Sequence, residues 1–212
     1  MMTFEEFKDI LVPAFPDVTD RQLARFEQMQ ALYTEWNSKI NVISRKDIDS
    51  LYLHHVLHSL AIAKYHPLPS GCSVLDLGTG GGFPGIPLAV LFPDVSFTLC
   101  DSVGKKTIVA GAVSKALGLE NVEVVNCRAE ELGRRFDYVV SRAVTSLDNF
   151  YPWVKGCYNQ SILYLKGGDV NEEIMTLMNR EKLKKGSIST WRVDSWLEDE
   201  YFDQKFVIEI GR

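Results

Sequence analysis

The apolar positions of this chain change rhythm along its length. Over the first third they recur every three or four residues, at Phe4, Phe7, Ile10 and Leu11, then at Leu23, Phe26, Met29, Leu32, Tyr33 and Trp36. That spacing collects them on one face of a helix and turns Arg21, Arg25, Glu27 and Gln28 elsewhere. Residues 13–16, bounded by prolines, separate the two helices, and Thr19 is the expected N-cap of the second. Tyr33 and Trp36 read as core or packing residues. A polar connection over 37–44 carries Ile40, Val42 and Ile43. Helical spacing resumes over 47–65, until Pro67, Pro69 and Gly71 end it.

From Ser73 the rhythm becomes short apolar runs alternating with helical stretches. Strands are predicted at 73–77, 96–100, 122–126, 138–141 and 161–165, and helices at 85–91, 105–117, 147–158 and 172–185. This order predicts an α/β fold with a mostly parallel sheet covered on both faces. The end departs from it: 188–196 and 204–210 alternate in β fashion around the acidic loop 197–203, as a closing antiparallel pair would. The chain therefore divides into an N-terminal helical extension, 1–70, and a core, 71–212.

Composition changes this picture little. At 212 residues and 46% hydrophobic content, one sizeable core with an appendage is expected. No run approaches the roughly 20 apolar residues that span a bilayer, and Met1-Met2-Thr3-Phe4-Glu5-Glu6 lacks signal-peptide order, so a cytoplasmic protein without membrane contact is expected. Cys72, Cys100, Cys127 and Cys157 stand singly and read as buried thiols. A net charge of −5 argues against bulk nucleic-acid affinity but leaves room for a local basic face.

The candidate chemistry centres on the stretch from Val74 to Pro87, where Val74-Leu75-Asp76-Leu77 runs into Gly78-Thr79-Gly80-Gly81-Gly82-Phe83-Pro84-Gly85-Ile86-Pro87. The glycines leave a backbone a ligand can lie against, and Pro84 and Pro87 suit the first turn of a helix. Gly80, Gly82 and Gly85 match the G-x-G-x-x-G spacing of dinucleotide folds, which alone is weak, and no Gly-Lys-Ser/Thr closes a phosphate loop. Asp76 argues further: a carboxylate facing the pocket would repel a pyrophosphate and welcome a cationic ligand such as S-adenosylmethionine. The blander reading is that Asp76 hydrogen-bonds loop amides.

In such a sheet the ligand lies beyond the carboxyl ends of the strands. Asp101, 25 residues past Asp76, could accept from ribose hydroxyls or be a solvated loop residue. Arg128-Ala129-Glu130-Glu131 could meet an adenine edge through its backbone or simply start a helix. Arg142, in Ser141-Arg142-Ala143, brings a guanidinium to the mouth, as anchor or as surface ion pair. Lys166-Gly167-Gly168 adds a cation. His54 and His58 have a zinc-compatible spacing, but His55 replaces the metalloprotease glutamate, so no metal is expected.

These residues resemble the RsmG (GidB) family. The resemblance rests on Leu32-Tyr33-Thr34-Glu35-Trp36-Asn37-Ser38-Lys39-Ile40-Asn41, the glycine stretch with its G-F-P-G-I-P tail, and Ser141-Arg142-Ala143, and runs from about Leu32 to the C-terminus. It implies a Rossmann-like class I S-adenosylmethionine-dependent methyltransferase with a seven-stranded sheet. It also implies methylation of N7 of guanine 527, in the 530 loop of bacterial 16S rRNA, with the rRNA or the small subunit as substrate; a monomer is expected. By position, Gly78, Phe83, Ala129, Glu130 and Arg142 would contact the cofactor, beside Asp76, Gly80 and Asp101 read above. One departure is plain: the family's His-x-x-Asp-Ser-Leu is His55-Val56-Leu57-His58-Ser59-Leu60 here. A small-molecule methyltransferase, a dinucleotide oxidoreductase and a non-catalytic RNA-binding protein are the rival readings.

Overall fold

The computed structural model describes residues 2–211. Its strands are β1 (Ser73–Leu77), β2 (Ser96–Cys100), β3 (Val122–Val125), β4 (Phe136–Arg142), β5 (Tyr158–Gly167), β6 (Ile188–Arg192) and β7 (Lys205–Gly211). They form a single sheet in the order β3-β2-β1-β4-β5-β7-β6. The pairs among β1 to β5 are parallel, and β7 runs antiparallel to both β5 and β6. The chain enters at β1, steps outward to β3, then crosses back to β4. Strand order therefore reverses between β1 and β4, where a crevice opens at the strands' carboxyl ends.

Successive residues of β1 show how the sheet is covered. Val74 joins one hydrophobic cluster and Leu75 the other, because side chains alternate across a strand. On the Val74 face lie α1 (Phe4–Ala14), α2 (Asp20–Lys39), α3 (His58–Tyr65), α4 (Gly85–Leu91) and α5 (Gly104–Ala116); on the Leu75 face lie α6 (Leu147–Val154) and α7 (Asn171–Glu181). The helices of 1–70 have no separate core: Phe7, Phe26, Met29 and Tyr33 share one cluster with Ile86, Leu88 and Phe97. Thr19 caps α2 through a capping box with Gln22. The Gln22 amide then donates to the Val90 and Leu91 carbonyls, tying α2 to the end of α4.

Several predicted boundaries shift. Residues 47–65 are not one regular helix but a 3₁₀ turn at Ile48–Ser50 and π-helical turns over Leu51–Leu57 before α3. The helix predicted over 147–158 stops at Val154; Gly156 takes φ +87° and β5 begins at Tyr158, three residues before the expected strand. Lys182 adopts a left-handed φ of 52° and ends α7 short of 185. The strand expected over 188–196 ends at Arg192, where a 3₁₀ turn at Val193–Ser195 follows.

Candidate active site

The glycine loop leaves β1 and enters α4 over a buried carboxylate. Asp76 Oδ2 accepts from the Thr79 hydroxyl at 2.6 Å and from the Gly85 amide at 2.7 Å, while Oδ1 has no hydrogen-bond partner. Burial pushes its pKa up to about 7, against the lowering effect of those two bonds. Position 76 shares a face with Val74, so its side chain points under the loop toward α4. Asp76 consequently does not line the crevice.

Gly78 does. Its φ of +73° is left-handed, and a Cβ there would stand 2.4 Å from Val144 Cγ2, so only glycine fits between the end of β1 and the turn after β4. Its amide donates to the Cys100 carbonyl at 2.8 Å, which locks the loop's start onto β2. Ser141 completes the frame by donating to the Leu77 carbonyl at 2.7 Å.

The crevice is a cavity of about 510 Å³ built from four strand ends. Leu77 ends β1 and Gly78 follows it, Asp101 and Ser102 follow β2, residues 127–130 follow β3, and Arg142, Ala143 and Val144 close β4, with Lys106 and Trp153 completing the lining. Asp101 is oriented from two sides: Oδ2 accepts from the Gly80 amide at 2.9 Å and Oδ1 from the Val103 amide at 2.8 Å. Each oxygen keeps a lone pair for a ligand donor. The turn after Arg142 has Ala143 at φ +48° and is held by Tyr164, whose hydroxyl accepts from the Val144 amide and donates to the Thr145 carbonyl, both at 2.9 Å.

Arg142 is neither free nor a surface ion pair. Its Nη2 donates to His55 Nδ1 at 3.0 Å, its Nη1 donates to the His54 carbonyl at 3.3 Å, and its guanidinium carbon sits 5.1 Å from the Phe83 ring centroid. Burial lowers its pKa from the ordinary value. Phe83 is buried, packing between Tyr33 and His55 as well. Tyr33 is fully buried and donates to the Gly81 carbonyl at 2.9 Å, so it is a core residue that also fixes the loop. Lys166 turns away from the cavity toward the Thr145 carbonyl at 2.9 Å and Glu173 at 3.1 Å.

Of the predicted residues, then, Gly78, Asp101, Ala129, Glu130 and Arg142 meet in one cavity, while Asp76 and Phe83 are buried behind it and the partly exposed Gly80 touches it only through its amide bond to Asp101. Sequence reasoning passed over Trp153, whose half-exposed ring sits on an otherwise ordinary amphipathic helix. It also passed over Asp47, which pairs with His54 and His55. The two histidines of the zinc-like spacing part company: His54 bonds Asp47 at 2.5 Å, while His58 is 5% exposed among Tyr201 and Phe202 and neither of its ring nitrogens finds a hydrogen-bond partner. Among the described residues no group of three His, Cys, Asp or Glu is placed to hold a metal. The cysteines are free thiols; Cys72 and Cys100 are buried, Cys127 and Cys157 partly so.

Comparison with known proteins places this geometry. Among solved structures, magnesium protoporphyrin IX methyltransferase from Synechocystis PCC 6803, with bound SAH, superposes with a TM-score of 0.62 at 12% identity over 92% of this chain and all of that one. Ribosomal protein L11 methylase from Lactobacillus delbrueckii subsp. bulgaricus gives 0.58 at 14% identity over 73% of this chain and 76% of that one. At these identities the likeness establishes the fold, a Rossmann-like class I methyltransferase fold. The sequence relatives go further. Ribosomal RNA small subunit methyltransferase G of Porphyromonas gingivalis is 49% identical across 94% of this chain and 91% of its own length. That of Flavobacterium psychrophilum is also 49% identical, across 92% and 94%. The family model for rRNA small subunit methyltransferase G matches residues 22–195. With that match and those relatives, the chain belongs to the GidB family, rRNA small subunit methyltransferase G.

Proposed function

We propose that this chain transfers a methyl group from S-adenosylmethionine to N7 of guanine 527 in 16S rRNA. The observation that carries the reading is the cavity at the strand-order reversal, where a bare glycine backbone, a half-committed acid and an arginine converge. The fit to the cofactor is chemical. Asp101 has lone pairs left for ribose hydroxyls, the backbone at Ala129 and Glu130 can meet an adenine edge, and the Gly78 peptide admits close approach. Asp76 and Phe83 shape the site from behind, and the Gly80 amide orients Asp101. Arg142 stands at the mouth as the anchor of cofactor or substrate.

When bound, S-adenosylmethionine supplies an electrophilic methyl carbon on a sulfonium. Guanine N7 already holds an in-plane lone pair and has no proton to lose, so no side chain needs to act as a general base. What the chain must supply is alignment and close approach. Arginine ordinarily reads O6 and N7 of guanine together; here it can take only O6, leaving N7 free. The helices of residues 1–70 and nearby basic side chains would position the RNA, with the protein acting as a cytoplasmic monomer. No described helix is long and apolar enough to cross a membrane.

The test uses methyl-labelled S-adenosylmethionine, the purified chain and small ribosomal subunits that lack the mark. Label in the subunit RNA is expected. Label that enters only small molecules, or none at all, contradicts the proposal.

A further inference from the structure

Arg142 lines the cavity, and its guanidinium is held by residues that do not line it. A guanidinium has only donors. His55 Nδ1, 3.0 Å from Arg142 Nη2, must therefore be an acceptor, and the imidazole proton must sit on Nε2. Nε2 lies 2.6 Å from Asp47 Oδ2, which accepts it. The other Asp47 oxygen accepts from His54 Nδ1 at 2.5 Å, so the carboxylate is itself clamped. Both histidines lie in the π-helical stretch, and Asp47 directly precedes the 3₁₀ turn that leads into it.

The electrostatics agree with the geometry. Burial, helped by the Arg142 charge, pulls the His55 pKa down to about 4, so the ring stays neutral near neutral pH and can accept from the guanidinium. Burial raises the Asp47 carboxyl, but the bonds from His54 and His55 outweigh it and hold the group below its usual value. A neutral ring bonded to a carboxylate on one side has one tautomer available, and that tautomer offers its lone pair to the arginine.

We infer that Asp47 and His55 are positioning residues for Arg142: the carboxylate sets the tautomer of the imidazole, and the imidazole aims the guanidinium at the cavity. An arginine side chain loses about 2 kcal/mol of rotamer freedom when it is fixed. Here much of that ordering is already in place before any ligand arrives. The inference rests on the reading of Arg142 as the anchor.

The experiment is a set of mutant cycles on the full chain, with Asp47→Ala, Asp47→Asn and His55→Ala made singly and in combination with Arg142→Ala. Methyl transfer to small subunits is measured as kcat/KM, and circular dichroism reports the fold. Asp47→Ala and His55→Ala should each lower kcat/KM by about 10- to 100-fold, the range of a lost charged hydrogen bond. Asp47→Asn, whose amide oxygen still accepts from Nε2, should recover most of the loss. Neither alanine variant should lower activity further once Arg142 is already alanine. Full kcat/KM in Asp47→Ala, or losses that multiply in the Arg142→Ala background, would overturn the inference. Unchanged transfer in Arg142→Ala alone would instead remove the anchor reading itself. If His55→Ala does not fold, the Asp47 pair on the partly exposed turn decides the question.

Discussion

One carboxylate oxygen, Asp76 Oδ2, accepts from both the Thr79 hydroxyl and the Gly85 amide, at 2.6 and 2.7 Å, and so pins the glycine loop near its start and at the first residue of α4. Asp76→Ala strips the acceptor from two donors in the buried base of the loop, at about 1–3 kcal/mol for each group left unsatisfied. The variant should unfold at lower urea and bind S-adenosylhomocysteine less tightly. A wild-type urea midpoint would contradict this role.

Two glycines should respond in opposite directions. Gly78→Ala forces a side chain at positive φ into Val144 and should weaken cofactor binding as well as stability. Gly111 lies inside α5, and a Cβ there meets nothing within 4 Å. Gly111→Ala should stabilise the protein by about 0.5–1 kcal/mol and leave methyl transfer untouched. Thermal melts of the two variants check both signs.

Two opposed titrations should shape stability on the acid side of neutrality. Burial holds His58 well below the ordinary imidazole value, and His55 near 4, so in this range the unfolded chain binds protons that the folded chain refuses. Their contribution is complete above about 6.5, the ordinary histidine value, and is lost as pH falls below it. Asp76 works the other way. With its pKa raised to about 7, the folded chain keeps a proton that the unfolded chain releases, and that contribution declines as pH rises above the ordinary carboxylate value and is gone above about 7. Urea titrations at pH 5, 6, 7 and 8 should show a shallower acid-side fall in His58→Gln and, because the opposing Asp76 term is removed, a steeper one in Asp76→Asn. Profiles parallel to the wild type would refute the assignments.

Binding to the small subunit should weaken steeply as salt rises, because a chain of net charge −5 can hold RNA only through local basic contacts to phosphate. Affinity measured from 50 to 200 mM salt checks this. A flat dependence would point to recognition without phosphate contacts.

The strand and helix order was legible because buried parallel strands read as apolar runs and their covering helices as stripes. The cavity residues at the strand ends were legible for the same reason, since a topological rule converts the end of each run into a place. Asp76 shows the limit. Its chemistry could be read, but its direction depends on which face position 76 takes, and the alternation that sends Val74 toward α4 sends Asp76 there too. Arg142 meets a histidine 87 positions earlier in the chain, a contact no local periodicity encodes. The end of α6 at Val154 was hidden because Tyr158 continues the helix's apolar spacing while belonging to β5.

The most direct measurement is a nucleoside map of 16S rRNA from cells with the intact gene and from cells without it. With the chain present, 7-methylguanosine should be found at position 527, and without it that guanine should be unmodified. The same methylated guanine in both samples, or a methyl group that moves to another atom or base, would contradict the proposed reaction.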